Sequence, residues 1–170
     1  MKAVPLILIT TCLLAGCDED ASSETRKPYM ADQVVLSAPR IDPAEKRTEP
    51  LPADEDAPSE FTELESGLRY RILRKSEEKP PNAGGYVRVY YEGKLDDGSV
   101  FDSSYERAAP DGFALSQVIK GWTEGLQLIG EGGMIELEVP PHLGYGAAGH
   151  QPGIPPNATL HFTVEIVEVQ

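Results

Sequence analysis

The chain has 170 residues, two cysteines and a formal net charge of −13 at pH 7. With 15 Lys and Arg against 28 Asp and Glu, the charge balance argues against nucleic acid as a partner, since phosphate contacts need clustered Lys and Arg. The same balance excludes electrostatic docking on anionic lipid.

The N-terminus opens on Met1 and Lys2, continues through an apolar run from Ala3 to Leu14 and closes on Leu14-Ala15-Gly16-Cys17. A positive start, a short apolar run and small residues at a cleavage point are the layout of a secretory signal. The run falls short of the roughly 20 apolar residues that spanning a bilayer takes. With a cysteine at the cleavage point, the segment resembles a bacterial lipoprotein signal. That resemblance implies a signal over residues 1–16 and a mature chain that begins at Cys17 and carries lipid there. It implies a location in the bacterial cell envelope, facing the periplasm or the exterior. Asp18 resembles an inner-membrane retention signal of enteric bacteria, and the sequence leaves inner and outer membrane open. Cys12 departs with the signal, so no intrachain disulfide and no cysteine nucleophile is expected.

Residues 17–60 read as a disordered linker. They are rich in acids and prolines (Pro28, Pro39, Pro43, Pro50, Pro52, Pro58) and poor in large apolar side chains. Such a segment buries too little surface to offset its ordering entropy. A flexible tether of that length reaches about 35–40 Å.

A folded domain is predicted over residues 61–170. Leu68, Tyr70 and Ile72 alternate with Arg69, Arg71 and Leu73, the pattern of a half-buried strand. Pro80 to Gly85 is a turn, and Val87, Val89 and Tyr91 mark a second strand. Asp96-Asp97-Gly98 signals a hairpin leading into Val100 and Phe101. Phe113 and Leu115 mark a further short strand. Trp122, Leu126 and Ile129 fall on one face of a short amphipathic helix over Gly121 to Ile129, with Gly130 placed for a left-handed cap. Ile135, Leu137 and Val139 form one strand, and Leu160, Phe162, Val164 and Ile166 form the last. A Gly- and Pro-rich loop from Pro140 to Asn157 joins them. Many strands and one helix spell an α+β fold: a twisted antiparallel sheet, a half-barrel, wrapped around one short helix and preceded by a disordered tether.

The best-placed aromatics are Tyr91, Phe101, Trp122, Tyr145 and Phe162, on different strands, the helix start and the long loop. Each alone could be ordinary core. A loop as rich in Gly and Pro as residues 140–156 is more naturally a pocket rim. His142, His150 and His161 show no metal-ligand spacing, and no G-x-S-x-G nucleophile elbow occurs. No metal and no cofactor is expected.

Val87 to Ser104 (V-x-V-Y-Y-E-G-K-L-D-D-G-S-V-F-D-S-S), Val118 to Gly125, Leu137 to Gly149, and Ile154-Pro155-Pro156 followed by Ala158 to Phe162 resemble the ordered signatures of FKBP-type peptidyl-prolyl cis-trans isomerases. Four motifs in order are far more specific than a lone glycine pattern. The resemblance runs from about Thr62 to Gln170 and implies an enzyme that rotates X-Pro bonds without a covalent step. It implies Trp122 as the floor of a cleft, Tyr91, Phe101, Val118, Ile119 and Phe162 as walls, and His150 and Ile154 as further substrate contacts. Asp102, Ile119 through its backbone N–H, and Tyr145 would carry the catalytic role. Asp102 read from the chain alone could instead be a turn aspartate capping backbone amides.

The implied partners are proline-containing peptides, unfolded exported proteins and macrolide immunosuppressants, with the membrane reached through lipid on Cys17. A monomer is expected, since the tether is too short for the helical dimerisation domain of some relatives. Asp111 and Gly112 follow Pro110 where many relatives carry an aromatic, so the rim differs there. The reading from another class is a tethered, non-catalytic peptide-binding or chaperone module that uses the same cleft.

Overall fold

The computed structural model describes Asp42 and residues 44–170. The signal segment, Cys17 and the linker up to residue 41 lie outside the described residues. Strands run over Thr62–Glu63 (β1), Arg69–Arg74 (β2), Tyr86–Lys94 (β3), Val100–Ser103 (β4), Asp111–Ala114 (β5), Met134–Val139 (β6) and Leu160–Val169 (β7). The one α-helix among the described residues is Lys120–Gly125 (α1). The strands form one antiparallel sheet in the order β1-β2-β6-β7-β3-β4, and β5 pairs with β3 beside β4. This is the α+β arrangement expected from the alternation.

Period-2 alternation sorts the side chains onto two faces. Val87, Val89, Tyr91, Ile135, Leu137, Val139, Leu160, Phe162, Val164 and Ile166 point to the face that α1 covers and are buried there with Leu68, Leu115, Trp122 and Leu126. The helix lies close on β6. A Cβ on Gly121 would meet Val139 at 2.6 Å and one on Gly125 would meet Leu137 at 2.6 Å, so only glycine fits at either contact.

Local details differ from expectation in three places. The helix spans only Lys120–Gly125 and tightens into a 3₁₀ turn at Leu126–Leu128, although Trp122, Leu126 and Ile129 all face the core as the spacing required. Gly130 is not a left-handed cap. The chain is already extended at Ile129, and Gly130 is needed because a Cβ there would lie 2.0 Å from the Glu78 carbonyl oxygen. Leu115 opens a 3₁₀ turn rather than extending a strand.

The larger difference is the domain boundary. Residues 44–60, read from sequence as linker, lie against the domain. Arg47 is 7% exposed and its Nη1 donates to Glu165 of β7 at 2.8 Å. The Leu51 N–H donates to the same carboxylate at 2.8 Å, and the Asp54 N–H donates to the Leu73 carbonyl of β2 at 2.7 Å. This strap crosses the sheet face opposite α1, where Tyr90, Tyr105 and Val167 form a second small apolar cluster with Leu51.

Candidate active site

Seven parts of the chain deliver side chains to one concave pocket of about 400 Å³ beside the helix. β3 supplies Tyr91, and β4 supplies Phe101 and Asp102. β5 supplies Phe113, and the turn into α1 supplies Gln117, Val118 and Ile119. The helix supplies Trp122, the long loop Tyr145 and β7 Phe162. Trp122 is the hub: its ring lies 5.2 Å from Tyr91, 5.4 Å from Phe113 and 5.2 Å from Phe162, each edge to face. Phe101 meets Phe162 edge to face at 5.5 Å. These are the preferred geometries of aromatic pairs, so the rings brace one another. Gly93 makes room for them, because a Cβ there would lie 2.5 Å from Phe101.

Polar groups are few. The Ile119 N–H belongs to the residue that precedes α1, and the Ile119 carbonyl accepts from Trp122 and Thr123. Backbone N–H groups at a helix start have no intrahelical acceptor and are open to a bound carbonyl. The Trp122 indole N–H is buried with no acceptor among the described residues. Tyr145 stands at the rim about one-third exposed (36%), and its partial burial together with the Asp102 charge raises its phenol pKa.

Asp102 is held on two sides. The Tyr91 hydroxyl donates to its Oδ2, and Arg107 Nη1 donates to its Oδ1 at 2.7 Å. Partial burial opposes ionisation of Asp102. The bonds from Tyr91 and Arg107 and the Arg107 charge outweigh it and hold the carboxyl below its ordinary range. Burial, then the Asp102 carboxylate, pushes the Tyr91 phenol well above its ordinary value. Arg107 also reaches the Tyr91 hydroxyl at 3.1 Å and pairs with Asp111. Asp111 is therefore occupied by Arg107 and does not line the pocket.

Eight of the residues singled out from sequence meet here: Tyr91, Phe101, Asp102, Val118, Ile119, Trp122, Tyr145 and Phe162. Two do not line the pocket. His150 stacks on the Tyr145 ring, 4.8 Å between centroids, and Ile154 turns into the core. Their backbones bond to each other at 2.9 and 2.8 Å, so the loop closes on itself there. Sequence reasoning missed Phe113, Gln117 and Arg107 as site residues. The alternation that placed Phe113 in a strand was a usable signal, as was the i, i+4 spacing of Arg107 and Asp111. Among the described residues no three His, Cys, Asp or Glu gather as a metal site would require.

A sheet folded over one short helix, with an aromatic pocket at the helix start, defines an FKBP-like domain. The chain belongs to the FKBP-type peptidyl-prolyl cis-trans isomerase family, whose profile matches residues 77–167. It is 50% identical over 105 residues to a probable FKBP-type isomerase of Haemophilus influenzae, covering 62% of this chain and 44% of that one. It is 49% identical over 105 residues to FkpA of Escherichia coli, covering 62% and 38%, and 42% identical over 127 residues to the isomerase Mip of Coxiella burnetii, covering 75% and 55%. The match thus spans about half or less of each of these relatives. Among solved structures, the FkpA crystal structure superposes with a TM-score of 0.64 at 45% identity, covering 66% of this chain and 53% of that one. AtFKBP13 gives 0.60 at 34% identity, covering 65% and 99%.

Proposed function

We propose that the domain catalyses cis–trans isomerisation of X-Pro bonds in proteins. The observation that carries this is the aromatic pocket on Trp122, with few titratable groups and donors at its edge. The barrier to X-Pro rotation is about 20 kcal/mol and reflects lost amide resonance as the C–N bond twists. A twisted amide is less dipolar than a planar one, so an apolar pocket disfavours the planar ground state more than the twisted state. Tyr91, Phe101, Trp122 and Phe162 would enclose the prolyl ring. The Ile119 N–H and the Tyr145 hydroxyl would fix the flanking carbonyls, and Asp102, ionised at neutral pH, would hold Tyr91 in place. Positioning of this kind needs neither nucleophile nor proton transfer.

The same reading anchors the chain by lipid on Cys17 in a bacterial envelope, where it acts as a monomer on unfolded exported proteins. It is supported by the Leu14 to Cys17 spelling and the apolar run before it. Macrolide immunosuppressants are a second ligand class for the pocket. The test is isomerisation of a short X-Pro peptide with X apolar. Acceleration over the uncatalysed rate supports the enzyme. A folded sample that binds the peptide without acceleration identifies a binding module instead.

A further inference from the structure

The second face of the sheet bears on the first. Tyr90 and Tyr91 are neighbours on β3 and point to opposite faces: Tyr91 into the pocket, Tyr90 under the strap. Tyr90 stands opposite Glu165 in the β3–β7 register. Glu165 is fully buried and accepts from Arg47, from Arg74 at 3.1 Å, from the Leu51 N–H and from the Tyr105 hydroxyl at 2.9 Å. The Tyr90 hydroxyl donates to the Glu45 carbonyl and accepts from the Arg47 N–H at 3.2 Å. The Arg47 guanidinium lies 4.4 Å over the Tyr90 ring, and its Nε and Nη2 are buried with no acceptor among the described residues. Arg47 is thus held by one carboxylate and one aromatic face. An arginine stripped of water costs free energy unless its seat is specific.

Tyr105 carries this seat to the pocket. It is buried, stacks on Tyr90 at 5.2 Å and lies in the turn that joins β4 to β5. That turn is tight. The Ala108 N–H bonds to the Tyr105 carbonyl at 3.0 Å, the Arg107 N–H bonds to the Ser104 carbonyl at 3.2 Å, and Ala108 has φ 51°. Ser104 ties the turn to β3 on both sides of Tyr91: its hydroxyl accepts from the Tyr91 N–H and its own N–H donates to the Tyr91 carbonyl. From the same turn Arg107 reaches Asp102 and Tyr91.

We infer that the strap positions the pocket: Arg47 and Leu51 seat Glu165 on Tyr105, which fixes the 104–109 turn and through Arg107 sets the Asp102–Tyr91 pair. Arg47 and Tyr105 are positioning residues, since neither lines the pocket. The kinetic consequence rests on the proposed isomerase activity, and the geometric one does not.

The test uses the full chain with Arg47→Ala, Arg47→Lys and Tyr105→Phe, each alone and combined with Arg107→Ala. Two readouts are taken where near-ultraviolet circular dichroism shows folded protein: kcat/KM on an X-Pro peptide, and the titration of the Asp102 carboxyl by carbon NMR. Arg47→Ala and Tyr105→Phe are each expected to lower kcat/KM about fivefold, the equivalent of one ordinary hydrogen bond. Arg47→Lys should lower it less. The Asp102 titration should move up toward its ordinary value in both, and with Arg107→Ala already present neither change should lower kcat/KM further. Parental kcat/KM and an unmoved titration in folded variants overturn the inference, as does an equal loss without Arg107. If Arg47→Ala does not fold, Tyr105→Phe decides, because it keeps the stacked ring and removes one hydroxyl. If the parent itself is inactive, the isomerase reading fails, and the Asp102 titration alone decides this one.

Discussion

In the proposed function, Asp102 and Tyr145 divide the polar work of the pocket. Removing the carboxylate in Asp102→Ala leaves the Tyr91 hydroxyl and Arg107 without their shared acceptor, so turnover should fall while the fold, judged by circular dichroism, survives. If Tyr145 bonds a substrate carbonyl as proposed, Tyr145→Phe removes one neutral hydrogen bond and should cost about 0.5–1.5 kcal/mol in kcat/KM. The pH dependence follows from the directions of the shifts. Asp102 is depressed in the folded state, so its contribution is present above the ordinary carboxylate value of about 3.9 and lost as pH falls through the folded value. Tyr91 and Tyr145 are raised, so their neutral forms persist through the ordinary phenol value of about 10 and are lost only above it. The His150 ring stacks on Tyr145. His150→Phe keeps the stack, and kcat/KM of that variant should be flat from about pH 5 to about pH 9. A break near neutrality in that profile would mean that another group titrates in the site.

Strand β3 organises the pocket because its residues serve both faces and because Gly93 carries no side chain. Gly93→Ala puts a methyl into the space of the Phe101 and Phe162 rings. Overpacking of this sort costs about 1–3 kcal/mol, and the displaced ring should reduce peptide binding measured by Trp122 fluorescence. The strands were legible in sequence because alternation is a direct consequence of one buried face, and Leu68, Tyr91, Leu137 and Phe162 obey it. The pocket aromatics were legible through the resemblance of whole motifs, and Phe113 was not because it lies outside the quoted ones. The strap was not legible at all. It is held by one arginine, one leucine and backbone groups against residues as far as 118 positions away, so nothing local marks it. Its acids and prolines read as linker, since composition reports how much a segment can bury and not whether the domain offers it a seat. The early end of α1 was hidden for a related reason: a 3₁₀ turn keeps Leu126 pointing inward, so the periodicity barely changes.

At the scale of the whole chain, anchoring and folding make separate claims. Mass analysis of the mature N-terminus should find a diacylglycerol-modified Cys17, and Cys17→Ala should lack it; an unmodified terminus elsewhere refutes the anchor. Limited proteolysis should find Ala44 to Glu60 protected along with the sheet, because Arg47, Leu51 and Asp54 bond to β7 and β2. Rapid cutting inside that stretch would mean that the strap detaches readily in solution. The place of β7 between β6 and β3 has a consequence for how the molecule comes into being. The middle of the sheet is built by the strand that comes last of the seven in chain order. Until residues 160–169 arrive, β3 and β6 have no common neighbour, Arg74 has no Glu165, and Tyr105 has nothing beneath its hydroxyl. Contacts so distant along the chain slow folding. The β1-β2-β6 and β3-β4-β5 halves can pair before β7 is made, but the sheet that joins them, and the Phe162 wall of the pocket, exist only once β7 is in place.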